Sequence, residues 1–111
     1  MDLVLENLVV GPWSVVRVAG ELDLHTSPQL RDHVLSMIGE TPVRLALDLT
    51  DVGFLDSSSL GMLVTLLKRV RERGGDLHLV GVSGSPMKVF TLTGLDRVFE
   101  ITGTTDSLPS T

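Results

Sequence analysis

Residues 55–62 read Leu55-Asp56-Ser57-Ser58-Ser59-Leu60-Gly61-Met62, an acid and three consecutive hydroxyls set between an apolar run and a helix-forming run. A helix that opens at the serines presents unpaired N–H groups and the positive end of its dipole there, a setting that accommodates a phosphate. On a small acidic chain this arrangement points to a phosphorylation switch rather than to a catalytic pocket. The plainer alternative is that Asp56 and the serines serve only as N-cap residues, as such side chains commonly do.

A helical wheel at 100° per residue separates the three hydroxyls. Leu60, Leu63, Leu66, Leu67 and Val70 fill one arc, which must face a sheet. Ser57, Ser58, Gly61, Thr65, Lys68, Arg69 and Glu72 fill the opposite arc. Ser59 falls on the apolar side, where only a small side chain fits. Ser57 and Ser58 are therefore expected to face outward and Ser59 to pack. Gly61 on the outward arc weakens the helix by ~1 kcal/mol relative to Ala, and close approach of another backbone would compensate. Met62 stands at the edge of the polar arc as a flexible apolar group suited to protein docking.

Other chemistry finds little support. Gly81-Val82-Ser83-Gly84-Ser85 misses the Gly-x-Ser-x-Gly nucleophile elbow at its last position. His25, His33 and His78 are scattered and lack metal-ligand spacing, and cysteine is absent. Gly81 to Pro86 has neither the Walker lysine nor the dinucleotide glycine pattern. No catalytic residue, metal or cofactor is expected, and the chain is read as a regulator, not an enzyme. With 14 acids against 9 bases the net charge is −5, which repels nucleic acid and anionic membrane and favours a basic protein partner. The longest apolar stretch, Leu60 to Leu67, is far short of the ~20 residues that span a bilayer, and no signal segment is visible. A cytoplasmic location fits these features.

The elements that must position the serines follow from periodicity and punctuation. Leu3 to Val10 and Trp13 to Ala19 read as strands joined through Gly11-Pro12 in a hairpin. After a loop from Leu22 to Ser27, Thr26 or Ser27 caps a helix with Pro28 in its first turn, and Gln29 completes a capping box if Thr26 is the cap. That helix runs to Gly39. Val43 to Leu49, almost wholly apolar, is a central strand covered on both faces. A helix from Ser57 to Arg73 follows, then a strand from Leu77 to Val82. A short helix from Ser85 to Gly94 and a last strand from Arg97 to Thr102 complete the series. The result is one α/β domain over residues 1–111 with its core at about 3–102. Its sheet is mixed and mostly parallel, with an N-terminal antiparallel hairpin and helical β-α crossovers. The tail, 103–111, is expected to be weakly ordered or to hold one helical turn.

Leu55-Asp56-Ser57-Ser58-Ser59-Leu60-Gly61 resembles the Asp-Ser-[Ser/Thr]-Gly-Leu-Gly signature of bacterial anti-sigma factor antagonists, the single-domain STAS proteins. Gly20-Glu21-Leu22-Asp23 is similar to the family's Gly-Glu-[Leu/Ile]-Asp loop, and Leu47-Asp48-Leu49 with Val52 to its central strand and turn. Thr93-Gly94-Leu95 with Val98-Phe99-Glu100-Ile101 is similar to its C-terminal signature. The resemblance implies a STAS-like fold and a partner-switching function. Unphosphorylated, such a protein binds an anti-sigma factor with serine kinase activity and frees the sigma factor. The kinase then modifies the serine directly after the acid, here Ser57, and a phosphoserine phosphatase reverses it. Asp23, Asp56, Ser58, Gly61 and Met62 are the expected partner-binding residues. Ser59 stands where the family carries glycine, and the family's final helix looks short or absent. The alternative on the same fold is a constitutive STAS scaffold subunit of a signalling or lipid-transport complex.

Overall fold

A computed structural model describes residues 2–110. The chain forms one five-stranded sheet in sequential order, β1 (Val4–Val10), β2 (Trp13–Leu22), β3 (Arg44–Leu55), β4 (Asp76–Val80) and β5 (Glu100–Thr102). β1 and β2 form the antiparallel hairpin, and the remaining neighbours are parallel. The crossovers are α1 (Ser27–Met37), α2 (Ser57–Glu72) and α3 (Gly84–Thr93). Each returns to the adjacent strand in the same direction, so the usual right-handed connection places all three helices on one face of the sheet.

The main core lies between that face and the helices. Leu45, Leu47, Leu49, Leu77 and Leu79 of the sheet meet Leu63, Leu66, Leu67 and Val70 of α2, Leu30 and Val34 of α1, and Phe90 of α3. Residues 45–49 are buried throughout, as a strand covered on both faces requires. The opposite face is covered near its lower end by the C-terminal segment. Trp13, Val15, Ala46, Val80 and Leu108 form a second, smaller cluster there, and the Trp13 Nε1–H donates to the Pro109 carbonyl at 2.6 Å.

Several element boundaries differ from the sequence reading. β2 continues to Leu22 and β3 to Leu55, beyond Ala19 and Leu49, because the two strands stay paired through two register irregularities. This extension brings the ends of both strands to the loops that matter. The segment expected as one strand from Arg97 splits into a 3-10 turn over Leu95–Arg97 and the short β5. The left-handed Gly94 (φ 76°) starts that turn at the end of α3. β4 stops at Val80, where Gly81 (φ 72°) turns the chain against Thr50; a Cβ at Gly81 would collide with that side chain. The tail carries a 3-10 turn at Thr105–Ser107 and buries Leu108; Thr111 lies outside the described residues.

The expected capping box at α1 does not form. Thr26 has an α-helical backbone conformation and its side chain makes no cap bond. Its hydroxyl instead donates to the Glu21 carbonyl at 2.6 Å and accepts from the Asp23 N–H at 3.0 Å. Gln29 reaches away from the cap, and its Oε1 accepts from the Leu3 N–H at 3.0 Å.

Candidate functional site

β2 and β3 end side by side with Leu22 opposite Leu55, so Asp23 and Asp56 are each the next residue along. The two loops are joined directly. The Asp56 N–H donates to the Leu22 carbonyl at 3.1 Å, and the Leu24 N–H acts on the Asp56 carboxylate as a minor electrostatic influence. The first loop therefore braces the start of α2.

Asp56 is the N-cap of α2. Its extended backbone (φ −101°, ψ 176°) lets Oδ1 accept from the Ser59 N–H at 2.9 Å, while the Leu60 N–H bonds to the Asp56 carbonyl. The same Oδ1 accepts from the Ser58 hydroxyl at 2.7 Å. Partial burial pushes the Asp56 carboxyl up, but the Ser58 hydroxyl and the Ser59 and Leu24 N–H groups outweigh it, and the net shift is downward. Asp56 is thus held as a carboxylate.

The three serines have three different fates. Ser59 is fully buried, and its hydroxyl makes no well-formed hydrogen bond. Ser58 is exposed, with its hydroxyl committed to Asp56. Ser57 is exposed at the first position of α2, and no hydrogen bond to its hydroxyl is found among the described residues. The outward and inward assignments from the wheel agree with this placement. Ser59, in the position where the family pattern has glycine, fits the core without disturbing the cap.

Asp23 is occupied within its own loop. Its Oδ1 accepts from the Thr26 N–H at 2.9 Å, the His25 N–H at 2.8 Å and the Thr26 hydroxyl at 3.2 Å. The Thr26 N–H leads the effects that hold the Asp23 carboxyl below its ordinary range. Thr26 itself is buried, and it ties the loop shut.

Gly61 and Met62 lie beside the serines in a cleft of about 380 Å³ between α1 and α2, lined also by Leu24, Pro28, Arg31 and Ser58. No backbone closes on Gly61: a Cβ there would meet open space, contrary to the expected close approach. The missing side chain deepens the cleft instead. Met62 is half-buried against the core rather than fully exposed, since α1 packs beside α2 and covers part of it. Sequence reasoning missed Leu24, 68% exposed in the loop after Asp23 and lining the cleft, and Phe54, 44% exposed near the end of β3. An apolar residue inside the polar loop after Asp23 was the available signal for the first.

Among the described residues no cluster of His, Cys, Asp or Glu is arranged to hold a metal, and no helix is long and apolar enough to cross a membrane.

The STAS domain family model matches residues 5–108. The chain belongs to the STAS domain family. It is 36% identical over 84 residues to an anti-sigma-B factor antagonist of Listeria monocytogenes, covering 76% of this chain and 74% of that one. Among solved structures, an anti-sigma factor antagonist from Mycobacterium paratuberculosis superposes with a TM-score of 0.82 at 29% identity, over 94% of this chain and 88% of that one. The anti-sigma factor antagonist SpoIIAA matches in its unphosphorylated form with a TM-score of 0.72, and in its phosphorylated form, from Bacillus, with 0.66. Both are 27% identical over 89% of this chain, and over 86% and 89% of the matched chains.

Proposed function

We propose that this STAS domain is an anti-sigma factor antagonist whose binding is switched by phosphorylation at Ser57. Unphosphorylated, it binds an anti-sigma factor with serine kinase activity and so releases a sigma factor. Phosphorylated, it lets go, and a phosphoserine phosphatase resets it. The observation that carries this reading is the inventory of hydroxyls at the start of α2: only Ser57 is both exposed and unengaged. The names of the relatives, and the existence of SpoIIAA in two phosphorylation states, support it.

The docking surface in this reading is the serine turn with the cleft beside it. Ser58, Gly61 and Met62 contribute to the cleft, while Asp23 and Asp56 shape the two loops and add negative charge. A phosphoserine adds about −1.5 to −2 charge at neutral pH. Within the domain the helix N-terminus favours that anion by ~0.3–1 kcal/mol, so the fold is retained. Across the interface it meets a kinase site that holds nucleotide phosphates, next to Asp56. Like charges forced together there cost several kcal/mol, and ~1.4 kcal/mol is tenfold in affinity. Release by two orders of magnitude needs no change of conformation.

Calorimetric titration of the co-purified anti-sigma partner tests this. Ser57→Ala should bind as unphosphorylated wild type does, and phosphorylated wild type should bind at least a hundredfold more weakly. Equal affinity for Ser57→Ala, Ser57→Asp and phosphorylated protein would instead indicate the constitutive scaffold.

A further inference from the structure

β1 is the outer strand of the sheet and has a neighbour, β2, on one side only. Natural edge strands are blunted by prolines, bulges, charged side chains (lysine above all) or short length. β1 has no proline, lysine or bulge, and its seven residues pair with β2 in unbroken register. Its one charge, Glu6, is paired with Arg17 at 3.3 Å. Two large apolar side chains stand out from it, Val4 at 67% and Val9 at 81% exposure, on opposite faces by their parity. The strand is also held in place from α1, through His33 Nε2 at 2.8 Å from Asn7 Oδ1.

We propose that β1 pairs antiparallel with β1 of a second copy of this chain, about a two-fold axis at Asn7, so that two sheets become one. The register that uses all seven residues sets Val4 opposite Val10 of the second copy, Leu5 opposite Val9, and Glu6 opposite Leu8. Both exposed valines then gain apolar cross-strand neighbours. A slip of one residue would set each face against the wrong face of the other copy. No like charges are directly opposed. The two Glu6 side chains become diagonal neighbours at roughly 7–8 Å, and each keeps its own Arg17. The contact is self-complementary, as a two-fold interface requires. Ser57 follows β3, which β2 separates from this edge, so the serine turn stays open in the dimer.

Sedimentation equilibrium at physiological salt, from micromolar to submillimolar protein, reads this out. Salt matters because each copy carries a net charge of −5. Wild type should move from 12.0 kDa towards twice that mass as concentration rises. The V4K/V9K variant should stay at the mass of one chain with an unchanged circular dichroism spectrum. L92K, which removes an 86% exposed apolar side chain from α3, should dimerise like wild type. The chain has no cysteine, so mixing L5C with V9C protein under mild oxidation adds a register test, with mixed disulfides expected over self-disulfides. A wild type that remains monomeric throughout, or a dimer that survives V4K/V9K, would overturn the proposal.

Discussion

The starts of α1 and α2 are built from similar residues and put to opposite uses. Both follow neighbouring parallel strands, and both place an aspartate before a hydroxyl-rich turn. At α1 the acid and the threonine hydroxyl are both taken up within the loop. Asp23 takes three bonds from its own loop, and the buried Thr26 hydroxyl bridges Glu21 and Asp23. At α2 the acid is spent on Ser58 and the backbone of Ser59, which leaves the first hydroxyl of the helix facing solvent. One loop is made to hold and the other to present, and the first braces the second through the Leu22 carbonyl, which accepts from the Asp56 N–H. The same residue types thus give a lock or a display depending on whether the hydroxyl stands at the cap position, as Thr26 does, or after it, as Ser57 does.

If that contrast is right, the largest effect belongs to the displayed hydroxyl. Phosphate on Ser57 should weaken the anti-sigma complex by about 2.7 kcal/mol or more, two decades in affinity, without shifting the melting temperature appreciably. Ser57→Asp should lose only part of this, because one carboxylate carries less charge and fewer acceptor oxygens. Next comes the lock. Thr26→Val removes a buried hydroxyl with two backbone partners and leaves both without it in a partly buried place, so urea unfolding should report a loss of about 1–2 kcal/mol. Asp56→Ala should cost about 1 kcal/mol as the loss of an N-cap. It should also free the Ser58 hydroxyl, making Ser58 modifiable where wild type is not. Met62→Lys should weaken partner binding by less than phosphorylation does, since the side chain is half-buried and its stem can stay against the core.

The smallest effect is on acid stability. Both Asp23 and Asp56 titrate below the ordinary carboxyl value of 3.8. A depressed folded-state pKa contributes stability that is fully present above the unfolded value and is lost as pH falls through the folded one. Unfolding followed from pH 6 downward should therefore show these contributions intact until about pH 4 and declining below it. The Asp23→Asn/Asp56→Asn variant should show a flatter decline over that window.

The sheet, its hairpin and the three crossovers were legible because apolar periodicity switches cleanly between strand and helix along the chain. So was the inward position of Ser59, which the 100° repeat dictates once Leu60, Leu63 and Leu67 define the core side. The ends of β2 and β3 were not. Glu21, Asp51 and Gly53 break the apolar pattern there, and backbone pairing alone carries the strands on to Leu22 and Leu55. The Thr26 knot was misread for a related reason. A Thr three residues before Gln reads as a capping box, but Asp23 lies close enough to claim the loop first. The depth around Gly61 depends on how closely α1 packs beside α2, which no local pattern encodes.

The central claim is tested most directly by peptide mapping of the phosphorylated protein. The chain is incubated with its cognate anti-sigma kinase and ATP, digested, and the modified residue located by tandem mass spectrometry. A single phosphate on Ser57, absent in Ser57→Ala, is the predicted result. A phosphate on Ser58 or on the buried Ser59, or undiminished labelling of Ser57→Ala, would contradict it.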